Sequence, residues 1–347
     1  MTQFTEAPPP RHLADPRPPP GGDTIGTELP IDPERRCTMT DTRIPGPART
    51  PRSTGDDLLN IGLVALAVTV GVSQLFVVPL LVARDPAWGW LLVPLTLTTT
   101  PFWSLIHEAI HGSLLRDRTR NDRTGRALAV LYGSPFAMLK AGHLLHHRYN
   151  RVRERTEIYD PARTTWLAAA PRFYLTLLGG LYLLEVIALL LAPLPGRAIR
   201  ALGRRAEAPD SVGGLLLDRV AEPTVLGRFR TDAAAIVFVH AASFVAYGAH
   251  AWMLLAALGG RALIVSLADN AYHYGTALDA PRDAMNLRLA RALEMFALNF
   301  TLHEVHHRHP GLRWYELRER FLAEGGRYHR DWFAAVARQF RGPIRLR

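Results

Sequence analysis

Two stretches of this chain run without a charge for the length of a bilayer crossing: Leu58 to Ala83, 26 residues, and Trp88 to Ile106, 19 residues. A hydrocarbon core takes roughly 20 apolar residues as helix. Inside it every backbone polar group must be paired within its own segment, which leaves helices or closed barrels. Two further apolar blocks follow. Phe173 to Pro193 is interrupted by Gly179, Gly180 and Glu185, and Ala233 to Gly259 runs for 27 residues. The pattern predicts an all-α integral membrane bundle of about four transmembrane helices.

Charge sets the orientation. Between His107 and Arg172 lie Arg116, Arg118, Arg120, Arg123, Arg126, Lys140, Arg148, Arg151, Arg153 and Arg155, whereas the turn between the first two blocks offers Arg84 and Asp85. Basic loops stay on the cytoplasmic side. Arg43, Arg49 and Arg52 put the N-terminal tail there too, so the first two blocks form a hairpin. If the histidines near 143 and near 303 share one site, an even number of crossings separates them. Either each later block crosses once, with 196–232 external, or the Gly-Gly block dips in or lies at the interface while 233–268 makes a tight helical hairpin. Charge favours the second arrangement. Arg197, Arg200, Arg204 and Arg205 sit badly outside, and Glu185 is costly at mid-membrane.

The formal charge of +10 and pI near 10.3 raise nucleic acid as a partner. The cations are almost all arginine and flank the apolar blocks, which fits cytoplasmic loops and anionic headgroups instead. The single Cys37 excludes structural disulfides, iron–sulfur clusters and thiolate zinc sites within one chain. Three parts are expected: a disordered Pro-rich tail at 1–55, a membrane domain at 56–325 and a basic C-terminal segment at 326–347. Twelve of the 26 prolines fall before position 52. The tail has no apolar core of a signal peptide, and Met39 within it offers an alternative start.

The chemistry sits in the histidines. Nine of 14 fall into four groups: His107 and His111; His143, His146 and His147; His273; and His303, His306 and His307. Spacings of i, i+3 and i+4 put imidazoles on one helix face with Cβ atoms about 5–6 Å apart, the reach needed to share a metal. Nine imidazoles exceed what one zinc uses, since zinc takes three or four protein ligands. Two metals with four or five nitrogens each use nearly all of them. Imidazole alone does not choose among iron, copper, nickel and zinc. Nearby carboxylates would offset the charge as outer-shell partners, and Glu108, Asp269 and Glu304 are the candidates.

HEAIH at 107–111, HLLHH at 143–147 and HEVHH at 303–307, separated by apolar blocks, resemble the three histidine boxes of the membrane fatty acid desaturase and hydroxylase superfamily. The surroundings HEAIHGSLLRDRTRNDRTGR, GHLLHHRYN followed by ERTEIYDP, and NFTLHEVHHRHPGLRWYEL agree, so the resemblance covers roughly Leu58 to Phe321. It implies membrane helices under a cytosolic helical cap that carries the boxes. It also implies two ferrous ions that activate dioxygen, a lipid or fatty acyl substrate, and electrons from a separate ferredoxin- or cytochrome-type donor. Carried over by position, all eight box histidines are metal ligands, and His273 matches the further histidine between boxes two and three. In the acyl-CoA branch an asparagine four residues before that histidine holds a metal-bound water. Here that position is Asp269, with Asn270 beside it, and either can serve as a metal or water ligand. The expected setting is a bacterial cell membrane with the active site on the cytoplasmic side.

HEAIH alone also reads as the helix of a zinc peptidase, with Glu108 as base. That reading leaves at least six histidines unused, and the distant aspartate motif it needs is matched only by ALDAP at 277–281. Glu108 is therefore read as an outer-shell carboxylate, and so is Glu304. A metal or lipid carrier needs no second HxxHH box, whereas a hydroxylase or carotenoid ketolase shares all the boxes. His240 and His250 are read as packing histidines within an apolar run. His12, His309 and His329 have no spacing partner and are read as solvated. Arg148 and Arg308 are read as outer-shell or surface residues. Trp88, Trp90 and Trp103 mark interface and packing. A narrow apolar tunnel must place one methylene of the substrate near the metals, and TLTTTPFWS on the second block is expected to line it.

Overall fold

The structure, a computed structural model, describes residues 54–207, 211–280 and 282–346. The Pro-rich tail with His12, Cys37 and Met39 lies outside them. Helix dominates. α1 (54–82) carries a π-helical turn at Ser73–Val77 and pairs with α2 (Pro86–Leu97) through a tight turn in which Asp85 Oδ1 accepts from the Ala87 amide at 2.9 Å. Leu75, Val78 and Val82 pack with Leu92 in one apolar cluster. The chain kinks at Thr98 and continues as α3 (Thr99–His111), so the first two blocks return on each other as a hairpin.

α3 stops at Gly112, whose φ of +69° is the left-handed conformation that ends many helices. Beyond it, α4 (Arg118–Tyr132) and α5 (Phe136–Tyr149) meet at an elbow of 104°. After a short strand, β1 (Ile158–Tyr159), comes α6 (Trp166–Leu191), which is long and apolar enough to cross a membrane. It is nevertheless broken, since Leu178 and Gly179 leave helical geometry, with Gly179 at φ +117°. Tyr174 Oη donates to the Phe340 carbonyl, and Arg230, at the start of the following long helix, donates to the carbonyls of Ala192 and Leu194. The break separates a stretch that packs beside Tyr274 from one that packs beside Met138.

Two cap helices, α7 (Gly196–Ala206) and α8 (Val212–Val220), pack on α5 around Met138, Ile199 and Val220. α9 (Pro223–Tyr247) and α10 (Ala251–Ala271) follow. As one straight rod, Tyr247 and Arg261 would stand about 21 Å apart. Instead both reach Gln74, Tyr247 through its backbone carbonyl and Arg261 through Oε1, so the chain reverses at Gly248 into a helical hairpin. Gly248 has φ +51° and ψ −122°, which a side chain would strain.

The remainder closes the cap: α11 (Arg291–Phe296), α12 (His303–Arg308), α13 (Leu317–Ala323) and α14 (Trp332–Gln339). Residues 326–346, part of the segment set apart in the sequence by its basic charge, are tied into this body. β3 (Arg330–Asp331) pairs with β2 (Leu287–Arg288), and β4 (Ile344–Arg345) pairs with β1. Gln339 is buried, donates to the Leu267 carbonyl at 2.9 Å and accepts from Asn270 at 2.5 Å.

Candidate metal centre

Each histidine group is delivered by a helix end. His107 and His111 fill the last turn and a half of α3, His143, His146 and His147 the second half of α5, and HEVHH forms α12. His273 stands just past the end of α10. Together these ends gather all nine imidazoles into two groups. His107, His111, His143, His147 and His306 make the first, and His146, His273, His303 and His307 the second. Within each, one nitrogen per residue lies within 4.8 Å of all the others. α5 serves both groups, and the His147 and His307 rings stack across the divide at 4.4 Å.

Four Nε2 contacts run through the first group: His107 to His306 at 3.0 Å, His306 to His147 at 2.9 Å, His147 to His143 at 3.0 Å and His143 to His111 at 2.9 Å. An imidazole nitrogen carries either one proton or one lone pair. In such a chain at most two of the four contacts can be hydrogen bonds. Lone pairs aimed at a common centre satisfy all of them, and metal–nitrogen bonds of about 2.1 Å set neighbouring ligands about 3.0 Å apart. In the second group His307 Nε2 lies 3.2 Å from both His146 and His303, and buried His273 brings a fourth nitrogen within 4.8 Å of these. The donor set therefore fits two metal ions with nitrogen ligands.

Burial holds His273, His303, His306 and His307 well below the ordinary imidazole range, helped by neighbouring histidines. Neutral imidazole is the form that binds metal. His146 is oriented from behind, because its Nδ1–H donates to Glu154 Oε2 at 2.6 Å and leaves Nε2 free to face the group. Burial pushes the Glu154 carboxyl up, but His146 and Arg151 outweigh that and hold it below its ordinary value. Sequence reasoning missed this carboxylate. Its signal was the acidic run after HLLHH, in which nothing marks Glu154 over Glu157. Glu157 instead pairs with Arg151 at 2.7 Å, both fully buried, and accepts from the Gly275 amide, which steadies the His273 loop. Tyr272, also missed, stacks on the His303 ring at 4.5 Å.

The remaining candidates are placed as follows. Asp269 and Asn270 line a polar cavity of about 30 Å³ with His146, Glu154 and His273, room for one or two waters. Glu108 is buried on α3 between the two box-one histidines. Glu304 accepts from Asn286 at 2.7 Å and pairs with Arg308, and Asn286 accepts from the Val305 amide, so this carboxylate braces α12. His309 and His329 are not merely solvated: His309 bonds Glu324 at 2.6 Å, and His329 accepts from the Asn286 amide at 3.0 Å. His240 bonds the Ile236 carbonyl at 3.1 Å, as a packing histidine does.

An apolar cleft of about 170 Å³ leads toward the second group. Thr100, Ala268, Ala297 and Thr301 line it together with Tyr272, whose ring stacks on His303. Thr100 comes from the TLTTTPFWS stretch. Leu293, Phe296 and Phe333 form an exposed lip.

The sequence model of the family described as fatty acid desaturase matches residues 87–335, well over half of the chain and all three histidine boxes. No curated protein and no solved structure matches.

Proposed function

Because the chain belongs to the fatty acid desaturase family, and is thereby a membrane oxidoreductase of the desaturase and hydroxylase type, we propose that it desaturates a fatty acyl chain or related lipid, using two ferrous ions and dioxygen. The observation that carries this reading is the division of nine convergent imidazoles into groups of five and four. A single-zinc peptidase would leave most of them idle. Iron held in these groups supplies the activation of dioxygen that an unactivated C–H bond requires.

The protein's own part is positioning. Glu154 fixes the tautomer and direction of His146, and Glu157 with Arg151 holds the loop that carries His273. Asp269 and Asn270 line the polar cavity beside His146 and His273, where Asp269 would serve the second metal directly or through water. Glu108, between the two box-one histidines, and Glu304, which braces α12, act at one remove. The cleft takes a hydrocarbon chain, because its walls are mostly apolar. Arginines of the cap side favour the cytoplasm, where a separate ferredoxin- or cytochrome-type donor delivers electrons.

Elemental analysis of the purified chain tests the first branch. About two irons per chain are expected, and one zinc without iron would sink the reading. Lipid profiles of cells with and without the gene test the second, with a new double bond expected and a new hydroxyl pointing to a hydroxylase on the same site.

A further inference from the structure

α4 ends at Tyr132, and the chain then turns through 104° before α5 begins. A carbonyl in the last turn of a helix has no partner within the helix. The Tyr132 carbonyl has two partners from elsewhere: Tyr182 Oη donates at 2.6 Å and the Arg261 guanidinium donates through Nη1. Arg261 is 3% exposed, within α10, and its other arm donates to Gln74 Oε1 at 2.7 Å. Its guanidinium lies 4.7 Å from the centre of the Tyr132 ring. Next to this carbonyl, Gly133 has φ +97°, and a Cβ there would lie 2.6 Å from Tyr182 Oη and 3.1 Å from His240 Nε2. One residue further, Ser134 Oγ donates to Glu185 at 2.5 Å. Side chains of α1, α6, α9 and α10 thus close on a single elbow.

A charge at bilayer depth is expensive and marks function by default. Apolar side chains would pack a bundle at lower cost. What an arginine adds is direction, since its planar fork binds two acceptors at a fixed angle and its charge suits the C-terminal end of α4. The elbow in turn sets α5, which carries His143 and His147 into one metal group and His146 into the other.

We propose that Arg261 and Tyr182 are positioning residues for the second histidine box, fixing the α4–α5 elbow from inside the membrane bundle so that α5 presents its three imidazoles to both metals. This rests on the di-metal reading of the nine histidines. Full-length protein in nanodiscs, loaded with Fe(II) or Co(II) alone, tests it through metal affinity and the visible spectrum of the Co(II) form per folded chain. Arg261→Met is expected to weaken both metals by about tenfold or more and to shift the Co(II) bands. Arg261→Lys is expected to recover part of the affinity, and Tyr182→Phe to move both readouts the same way by less. Leu254→Ala removes buried packing on the same helix, away from the elbow, and serves as the stability control. It is expected to lower thermal stability with metal affinity retained.

Hydrogen exchange of the metal-free proteins gives a readout independent of metal. Arg261→Met is expected to speed exchange along Phe136–Tyr149 more than in α1, with Leu254→Ala doing the reverse. Wild-type spectra and affinity in Arg261→Met, or equal losses in Leu254→Ala at matched stability, overturn the proposal. If the wild type binds no metal, the di-metal reading falls, while unchanged exchange in α5 alone overturns the elbow.

Discussion

Replacing Glu154 with Gln separates the two metal positions. The carboxylate accepts from His146 Nδ1 at 2.6 Å, a short charge-assisted bond, and touches no histidine of the five-membered group among its hydrogen bonds. Substituting such an outer partner costs 10–100-fold in metal affinity, about 1.4–2.7 kcal/mol. Glu154 Oε2 sits on a side chain that is 33% exposed. Gln retains an acceptor, and water can make up part of the loss, so the low end applies. About tenfold weaker binding is expected in the four-histidine group, with less than threefold change in the other. Graded chelation followed by elemental analysis should resolve two release steps, of which only one moves. Glu304→Gln is the matched control. That residue braces α12 through Asn286 and Arg308, and its loss should leave both release steps within about threefold, since partly exposed pairs are worth about 1 kcal/mol or less. Two unchanged steps in Glu154→Gln, or two steps weakened equally, would refute the assignment of His146 to a separate second group.

Three further outcomes follow from the geometry. His147→Ala removes the ring that links His143 and His306, so iron should fall from about two per chain to about one by elemental analysis. Ala297→Leu pushes a larger side chain into the apolar cleft, so product in lipid profiles should drop by about tenfold or more while iron per chain stays constant. Finally, the metal-free protein should lose stability on acidification. His303 and His307 are held well below the ordinary range when folded, so below about pH 6.5 the unfolded chain binds protons that the folded chain does not. Each such histidine contributes about 1.4 kcal/mol per pH unit in that window. Thermal melts of the metal-free protein from pH 7 to 5 should therefore show a shallower loss in the His303→Gln, His307→Gln double variant.

The gathering of the histidines was legible in the sequence because helix spacing is a local rule. HEAIH, HLLHH and HEVHH each put their rings on one face whatever lies opposite, and nine nitrogens nearly match two metals with four or five each before any coordinate is known. The α9–α10 hairpin was legible for a related reason, since charge and parity constrain a chain in a bilayer more tightly than one in water. What could not be read is what the chain brings together across distance. Arg261 and Gln74 are 187 residues apart, and neither has a neighbour that announces the other. Glu154 is near His146 in sequence, yet nothing local marks it over Glu157, and only the turn after α5 sends one carboxylate to an imidazole and the other to a buried arginine. The same logic explains why HEAIH misleads when taken alone. A helix with two histidines and a glutamate fixes the direction of two lone pairs, but the number and identity of the metals depend on how many other lone pairs arrive at the same point. Here those arrive from α5, α12 and the end of α10, elements whose meeting depends on an elbow that no local pattern records.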